Sequence, residues 1–197
     1  MDFSVVNQAL SSKSFHKMAD ICDALMLQAA AEGVPFRHEW PFALHLLAHI
    51  YVDDVNSARF LWKSIPATIK ESQPQLVAAW KIGQKLWTRD YAGVYEAIRG
   101  FDWTQQTQLL VAAFSELYTT RMFALLQSAY STISIQDAAQ FLGMNEEDAT
   151  NYVLQQGWTV NPTSRMLTVT KQAIVKEQKL DPGKLQRLTE YVFHLEH

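Results

Sequence analysis

The stretch from Thr132 to Thr170 constrains the fold most, because its helix start and stop signals agree with one another. Ser134 and Asp137 have the spacing of an N-terminal capping box, in which the acidic side chain can reach back to the exposed amide. Gly143 can adopt the left-handed conformation that closes a helix. A short helix preceded by an extended lead-in is therefore predicted here.

A second helix and a β-hairpin follow within the same stretch. Asn145 and Asp148 repeat the capping arrangement, and Gly157 is placed to end the second helix. Apolar residues then alternate with polar ones over Trp158–Val160 and Leu167–Val169, with turn-forming residues between them. The predicted unit, residues 132–170, is a helix–turn–helix with a wing, that is, a winged helix.

Winged helices often bind DNA, so the charge of this unit decides between nucleic acid and protein as its partner. The helix that would enter the major groove begins with Glu146, Glu147 and Asp148, and it carries no basic residue. The unit offers Arg165 ahead of Lys171 as its cations, and an acidic helix start repels phosphate. Protein binding is favoured, and a nucleic-acid-binding regulator is the alternative.

The preceding residues, 1–131, are expected to form a helical-repeat array. Apolar residues recur at helical spacing over Ser14–Gly33, with Ser14 as a plausible cap, and over Trp40–Tyr51. Asp54–Lys63 and Asp90–Arg99 resemble each other, with an acidic start and a basic end, and a further helix is expected over Pro74–Trp87. Their offset of 36 positions is close to the period of about 34 residues in helical-hairpin repeats.

Two further helices complete the predicted architecture, which is mostly α. Thr104–Ser131 has apolar residues around most of its circumference, and it is expected to join the array to the winged helix without a flexible linker. Residues 171–183 are expected to be a linker. Over residues 184–197, apolar side chains recur in steps of three and four, which is typical of a seam for helix packing; they are Leu185, Leu188, Val192 and Leu195. This helix either docks on a partner or folds back on its own chain.

The candidate catalytic residues are few. His45 and His49 lie four apart on one predicted helix, which is the spacing of two zinc ligands, with Glu39, Asp53 and Asp54 as conceivable third ligands. Leu46 follows His45 where a metalloprotease helix carries its general base. We therefore favour packing over a zinc hydrolase for this pair.

A second histidine pair, His194 and His197 with Glu190, lies at the end of the chain and is an equally weak metal candidate. Cys22 is the one cysteine, which excludes an internal disulfide, and its place in an apolar stripe predicts a core residue. No phosphate-binding glycine loop, dinucleotide fingerprint or nucleophile elbow occurs. The net charge of −3 gives no general attraction to nucleic acid or to an anionic membrane, and no stretch is predicted to span a membrane. Because the catalytic motifs are missing, we expect a globular protein that is not an enzyme and holds no cofactor or metal.

Four motifs resemble one known family. They are Asn56–Pro66 (NSARFLWKSIP), Ile82–Trp87 (IGQKLW), Gln156–Trp158 (QGW) and Leu188–His197 (LTEYVFHLEH). With them, the chain is similar to the PCI-domain family, and within it to the smallest-subunit family of the constitutive photomorphogenesis nine (COP-nine) signalosome in its plant form. The similarity extends over nearly the whole chain.

The resemblance implies a helical-repeat array followed by a winged helix, in a non-catalytic scaffold subunit found in nucleus and cytoplasm. The complex removes the ubiquitin-like modifier Nedd from cullins, and in plants it represses photomorphogenesis. Its isopeptidase subunit needs a His-x-His motif, which this chain lacks. Winged helices of the family associate side by side, so Met166, Leu167 and Val169 would form an edge strand for a neighbour, chiefly subunit three. The residues of the C-terminal seam would enter a helix bundle with the other subunits.

Overall fold

The structure is a computed structural model that describes residues 3–33, 40–171, 189, 192 and 193. The helices and strands with assigned bounds in this part of the chain are, in order, α1 (Ser4–Ser11), α2 (Phe15–Ala31), α3 (Phe42–Tyr51), α4 (Val55–Ser64), α5 (Ala67–Ser72), α6 (Pro74–Trp87), α7 (Tyr91–Arg99), α8 (Gln105–Ala129), β1 (Thr132–Ser134), α9 (Ile135–Leu142), α10 (Glu146–Gln155), β2 (Thr159–Asn161) and β3 (Met166–Thr168). The predicted, mostly helical fold class is confirmed.

The helices up to α7 are joined by the same tight connection at three places. Lys13, Asp53 and Arg89 each follow a helix and adopt a positive φ, of 54°, 66° and 56°. In each case the amide of the next residue donates to the carbonyl five residues before it, at 2.9, 3.0 and 2.9 Å. This is the Schellman ending of a helix, here built without glycine. The chain therefore makes the same kind of turn between the helices of three pairs: α1–α2, α3–α4 and α6–α7.

The two pieces predicted to repeat are both helices with the same N-terminal cap. The Asp54 carboxylate accepts from the Ser57 N–H at 2.9 Å and begins α4. The Asp90 carboxylate accepts from the Gly93 N–H at 3.0 Å and begins α7. The similarity found between these pieces thus has a physical basis, since an acidic residue that satisfies an orphan amide starts each helix.

One local expectation for the array is corrected, and one helix of the array was not predicted. Ser14 precedes α2 but makes no side-chain cap, because its hydroxyl is bonded to the Ser12 hydroxyl, at 3.0 Å. The short helix α5 was not predicted, because six residues are too few for a helical period to be recognised. Its one buried side chain, Ile69, joins the core.

The longest helix, α8, lies at the centre of the fold. By length and composition alone it could also cross a membrane, since its 25 residues include a window of mean hydropathy 1.4. The helix packs against α1, α3, α7 and α9. Its buried residues are Thr107, Leu110, Val111, Phe114, Tyr118, Met122, Phe123 and Leu126. These contacts are those of a core helix, which passes the same test of length and hydropathy.

The winged-helix elements predicted over Thr132–Thr170 are present. The Asp137 N–H donates to Ser134 Oγ at 3.0 Å and caps α9, although the Asp137 carboxylate accepts from the Ser134 hydroxyl rather than from its amide. Asn145 caps α10 in the same way, through the Asp148 N–H at 2.7 Å. Both predicted helix starts are therefore correct, and each depends on the side chain of the first residue.

The sheet of this unit has the order β1-β3-β2, and both of its pairings are antiparallel. The prediction that Met166 to Val169 forms an edge strand is wrong, because β3 is the central strand. The sequence predicts the hairpin and an extended lead-in at Thr132 but gives no pairing partner for that lead-in, and in the structure Thr132 pairs with Thr168. Leu167 and Val169 are buried as a result.

The array and the winged helix share one hydrophobic core. The Trp158 indole stacks on the Phe123 ring of α8, with ring centroids 5.0 Å apart. Arg99 of α7 donates to the Gly143 carbonyl at 2.9 Å. The predicted absence of a flexible linker between α8 and the winged helix agrees with these contacts. The predicted linker, residues 171–183, and the terminal helix, residues 184–197, lie outside the described residues except at four positions: Lys171, Thr189, Val192 and Phe193.

Candidate protein-interaction site

The hydrogen bonds of the central strand show which of its residues face each neighbour. The Val169 N–H donates to the Ser131 carbonyl at 2.9 Å, and the Ile135 N–H donates to the Arg165 carbonyl at 3.1 Å. Because backbone groups of an antiparallel strand alternate between its two sides, Leu167 also faces β1. The even-numbered residues of β3 therefore face β2.

Among the described residues, the outer strand β2 consequently presents the backbone groups of one residue to its outer edge. Thr159 and Asn161 lie opposite Thr168 and Met166, so their backbone groups point into the sheet. Val160, between them, directs its N–H and C=O away from β3. No other strand pairs with β2 within the described residues. An unpaired N–H and C=O on an exposed strand can bind a further strand or an extended peptide.

The side chains predicted to bind partners are not all placed where the sequence suggested. Met166 is half-buried, and Leu167 and Val169 belong to the core. Val192 is helical and exposed, as is Phe193 beside it. The other predicted seam residues, Leu185, Leu188 and Leu195, lie outside the described residues. Their role in partner binding stays a prediction.

The charges of the winged helix do not favour nucleic acid. Arg165, at the end of the wing, pairs with Glu146 at the start of α10. Asp137, Glu147 and Asp148 add further negative charge in the first turns of the two helices. A phosphate backbone approaching this face would meet an acidic surface whose arginine is already paired.

A positively charged aromatic surface on α4 and α6 was missed by sequence reasoning. Residues 55–89 contain six lysines and arginines and one acidic residue, whereas the chain as a whole is negative. The Arg59 guanidinium lies 4.6 Å from the centroid of the Trp87 ring. Around this pair is an open pocket of about 470 Å³, lined by Arg59, Trp80, Gln84, Lys85, Trp87 and Thr88. The Lys85 ammonium is paired with the Asp90 carboxylate, at 2.6 Å, so Arg59 supplies most of the uncompensated charge of this pocket. Local charge counting would have found it.

The histidine pair on α3 meets a residue that the sequence did not single out. His45 Nε2 lies 2.8 Å from Asp23 Oδ1, and His49 Nε2 lies 3.3 Å from the same oxygen. Neither acidic alternative on the described chain joins the cluster, since Asp53 pairs with Arg121 and Asp54 caps α4. Glu39 and the second pair, His194 and His197 with Glu190, lie outside the described residues.

Burial determines the chemistry of this cluster. His45 is 0% exposed, and desolvation lowers its pKa to about 4 in spite of the hydrogen bond with Asp23, so the ring is neutral at pH 7. Cys22, next to Asp23, is also buried, and desolvation raises the pKa of its thiol to about 12. The thiol is therefore protonated, as expected of the core residue that the sequence predicted.

Comparison with known proteins agrees with this architecture. Residues 37–179 match the model of the CSN8/PSMD8/EIF3K family. The chain is 66% identical to COP9 signalosome complex subunit 8 of Arabidopsis thaliana over 197 residues, which cover all of both chains. It is 36% identical to the Xenopus laevis protein of that name, again over all of both chains. It is 26% identical to the Dictyostelium discoideum protein, over all of this chain and 98% of the other. The chain belongs to the CSN8/PSMD8/EIF3K family.

Proposed function

We propose that this protein is a non-catalytic assembly subunit of the COP9 signalosome. The observation that carries the proposal is its full-length similarity to proteins named as subunit 8 of that complex in a plant and an amphibian. Its neighbour would be subunit three, and it would occur in both nucleus and cytoplasm. A fluorescent fusion expressed at native level tests the location, and exclusion from either compartment would contradict it.

The outer edge of β2, on which no described strand pairs, supports an assembly role. Val160 offers one outward N–H and one outward C=O on a strand whose flanking side chains, Thr159 and Asn161, are exposed. A neighbouring chain that adds a strand here would extend the three-stranded sheet through main-chain hydrogen bonds. Side-by-side association of winged helices would then use β2 rather than the strand named from the sequence.

The proposed absence of catalysis rests on the histidine positions. The isopeptidase of such a complex needs His-x-His, and the six histidines here include no such pair. Among the histidines that the structure describes, the two that lie close together share one helix, four residues apart, and face an aspartate of the neighbouring helix. This subunit would contribute surfaces to the complex, and the chemistry would belong to another subunit.

The edge is tested by Val160→Pro, with Val160→Ala as the matched control. Proline removes the outward N–H without removing a hydrogen bond to β3, whereas alanine keeps that N–H and shortens the side chain more. After co-expression with the other subunits, the proline variant should be recovered in the complex less than the alanine variant. Equal recovery of the two variants would contradict pairing at this edge.

The C-terminal segment is tested by deleting residues 184–197. If it contributes a seam to a shared helix bundle, the shortened chain should keep its helical circular dichroism and its cooperative unfolding while failing to enter the complex. Incorporation at the wild-type level would show that the segment has been misassigned. Loss of cooperative unfolding would show that the segment folds back on its own chain.

A further inference from the structure

Three polar side-chain atoms of α2 and α3 converge on one point. The two imidazole Nε2 atoms of His45 and His49 lie 3.1 Å apart, and each faces Asp23 Oδ1, at 2.8 and 3.3 Å. The two rings are stacked, with centroids 4.9 Å apart. The three atoms therefore form a nearly equilateral triangle.

Hydrogen bonding alone satisfies this triangle poorly. If both Nε2 atoms carry protons, two N–H groups point at one oxygen and crowd each other at 3.1 Å. If only one Nε2 atom carries a proton, that single N–H faces two acceptors, the carboxylate oxygen and the other Nε2. It cannot form a near-linear hydrogen bond with both. The other nitrogen of His45, Nδ1, is buried and has no hydrogen-bond partner among the described residues, so it does not fix the tautomer.

A tetrahedral metal ion fits the same three atoms. Zinc bonds of about 2.0–2.1 Å place neighbouring ligand atoms about 3.3 Å apart. The three observed separations, from 2.8 to 3.3 Å, lie slightly below that value. An ion held by these atoms would lie about 1 Å from their plane, so the cluster needs to open by only a few tenths of an ångström.

In place of the packing role and the absence of metal expected from the sequence, we propose that Asp23, His45 and His49 bind a zinc ion that fastens α2 to α3. Two imidazoles and one carboxylate form a ligand set that suits zinc, whereas calcium and magnesium prefer oxygen ligands. Both histidines are buried, at 0% and 4% exposed, so the ion would lie at the edge of the core rather than on an open surface.

The site has a route to solvent and a position for a fourth ligand. The Asp23 side chain is 49% exposed, so an ion can enter from its side and keep a water molecule there. The three protein ligands come from adjacent helices of the array, with Asp23 on α2 and both histidines on α3. Metal bound to the folded state alone would raise the melting temperature by about 5–10 °C when free zinc is 100-fold above its Kd.

The test uses the full, untagged chain, freed of metal by a chelator. Zinc is titrated against a chromophoric chelator, and cobalt is titrated in parallel to detect the visible absorption of a tetrahedral site. One equivalent of zinc should bind in the low micromolar range or tighter. Asp23→Asn replaces a carboxylate ligand with a neutral amide, and His49→Gln removes an imidazole ligand. Each should weaken binding by at least about 100-fold, since changing even an outer-shell partner costs about 10–100-fold.

The control is His16→Gln, which changes an exposed histidine on α2 outside the cluster and should bind zinc as the wild type does. Asp23 is half exposed, so Asp23→Asn should keep the fold, which circular dichroism checks. The proposal is overturned if the wild type binds no zinc at low micromolar concentration, or if Asp23→Asn and His49→Gln bind zinc as tightly as the control.

Discussion

Gly143→Ala is expected to weaken the junction between the helical array and the winged helix. Gly143 ends α9 with a φ of +66°, and a Cβ placed on it would overlap the Tyr95 ring of α7. That ring is buried, and its hydroxyl is hydrogen-bonded to Thr119 on α8, at 3.2 Å, so it has little room to move away.

Two costs add at this position. A non-glycine residue in the left-handed conformation costs roughly 1–2 kcal/mol. Inserting a methyl group against a fixed core side chain costs about 1–3 kcal/mol more. We therefore expect Gly143→Ala to lower the free energy of unfolding by roughly 2–5 kcal/mol, which is a large part of the stability of an ordinary domain.

Gly157→Ala is the matched control for the backbone cost. Gly157 also ends a helix with a positive φ, of +84°, but a Cβ there would have nothing within 4 Å. This variant should cost only the roughly 1–2 kcal/mol of backbone strain. Urea unfolding followed by circular dichroism gives both values. Equal losses for the two variants would refute the claim that Tyr95 packs on Gly143.

Four further predictions follow from the fold. Asp54→Ala removes the cap on the Ser57 amide and should cost about 1 kcal/mol at pH 7. The hydrogen bond from the Ser57 N–H lowers the pKa of Asp54. The difference in unfolding free energy should therefore be complete above pH 3.8, the ordinary pKa, and disappear as the pH falls through the lowered pKa. Unfolding curves at several pH values measure this. Trp158→Ala removes a buried ring stacked on Phe123 and should cost about 3–5 kcal/mol in urea unfolding. Lys13→Gly relieves a positive φ and should raise the melting temperature slightly, corresponding to about 0–1 kcal/mol. In a mobility-shift titration at low salt, duplex DNA should not be retarded, and salt-sensitive retardation would revive the nucleic-acid alternative.

Local signals made much of this fold predictable. Each N-terminal cap accepts from the amide three residues further along the chain, so it can be predicted from a short stretch of sequence. These caps are Ser134, Asn145, Asp54 and Asp90. The glycine endings at 143 and 157 are equally local. The helix bounds predicted from these signals agree with the structure to within a few residues.

Long-range pairings were not predictable in the same way. The central position of β3 depends on pairing between Thr132 and Thr168, which lie 36 positions apart in the chain. Neither segment contains a local sequence signal for this pairing. Asp23 was overlooked as a neighbour of His45 because it lies on another helix and has no motif of its own. Both errors concern contacts between elements rather than the elements themselves.

The claim that this protein works by offering surfaces to neighbours is tested most directly by mass spectrometry of the native assembly purified through this chain. We predict equimolar recovery with the other signalosome subunits, and loss of those subunits when Val160→Pro is combined with removal of residues 184–197. Recovery of the wild-type chain alone, or only with copies of itself, would contradict the account.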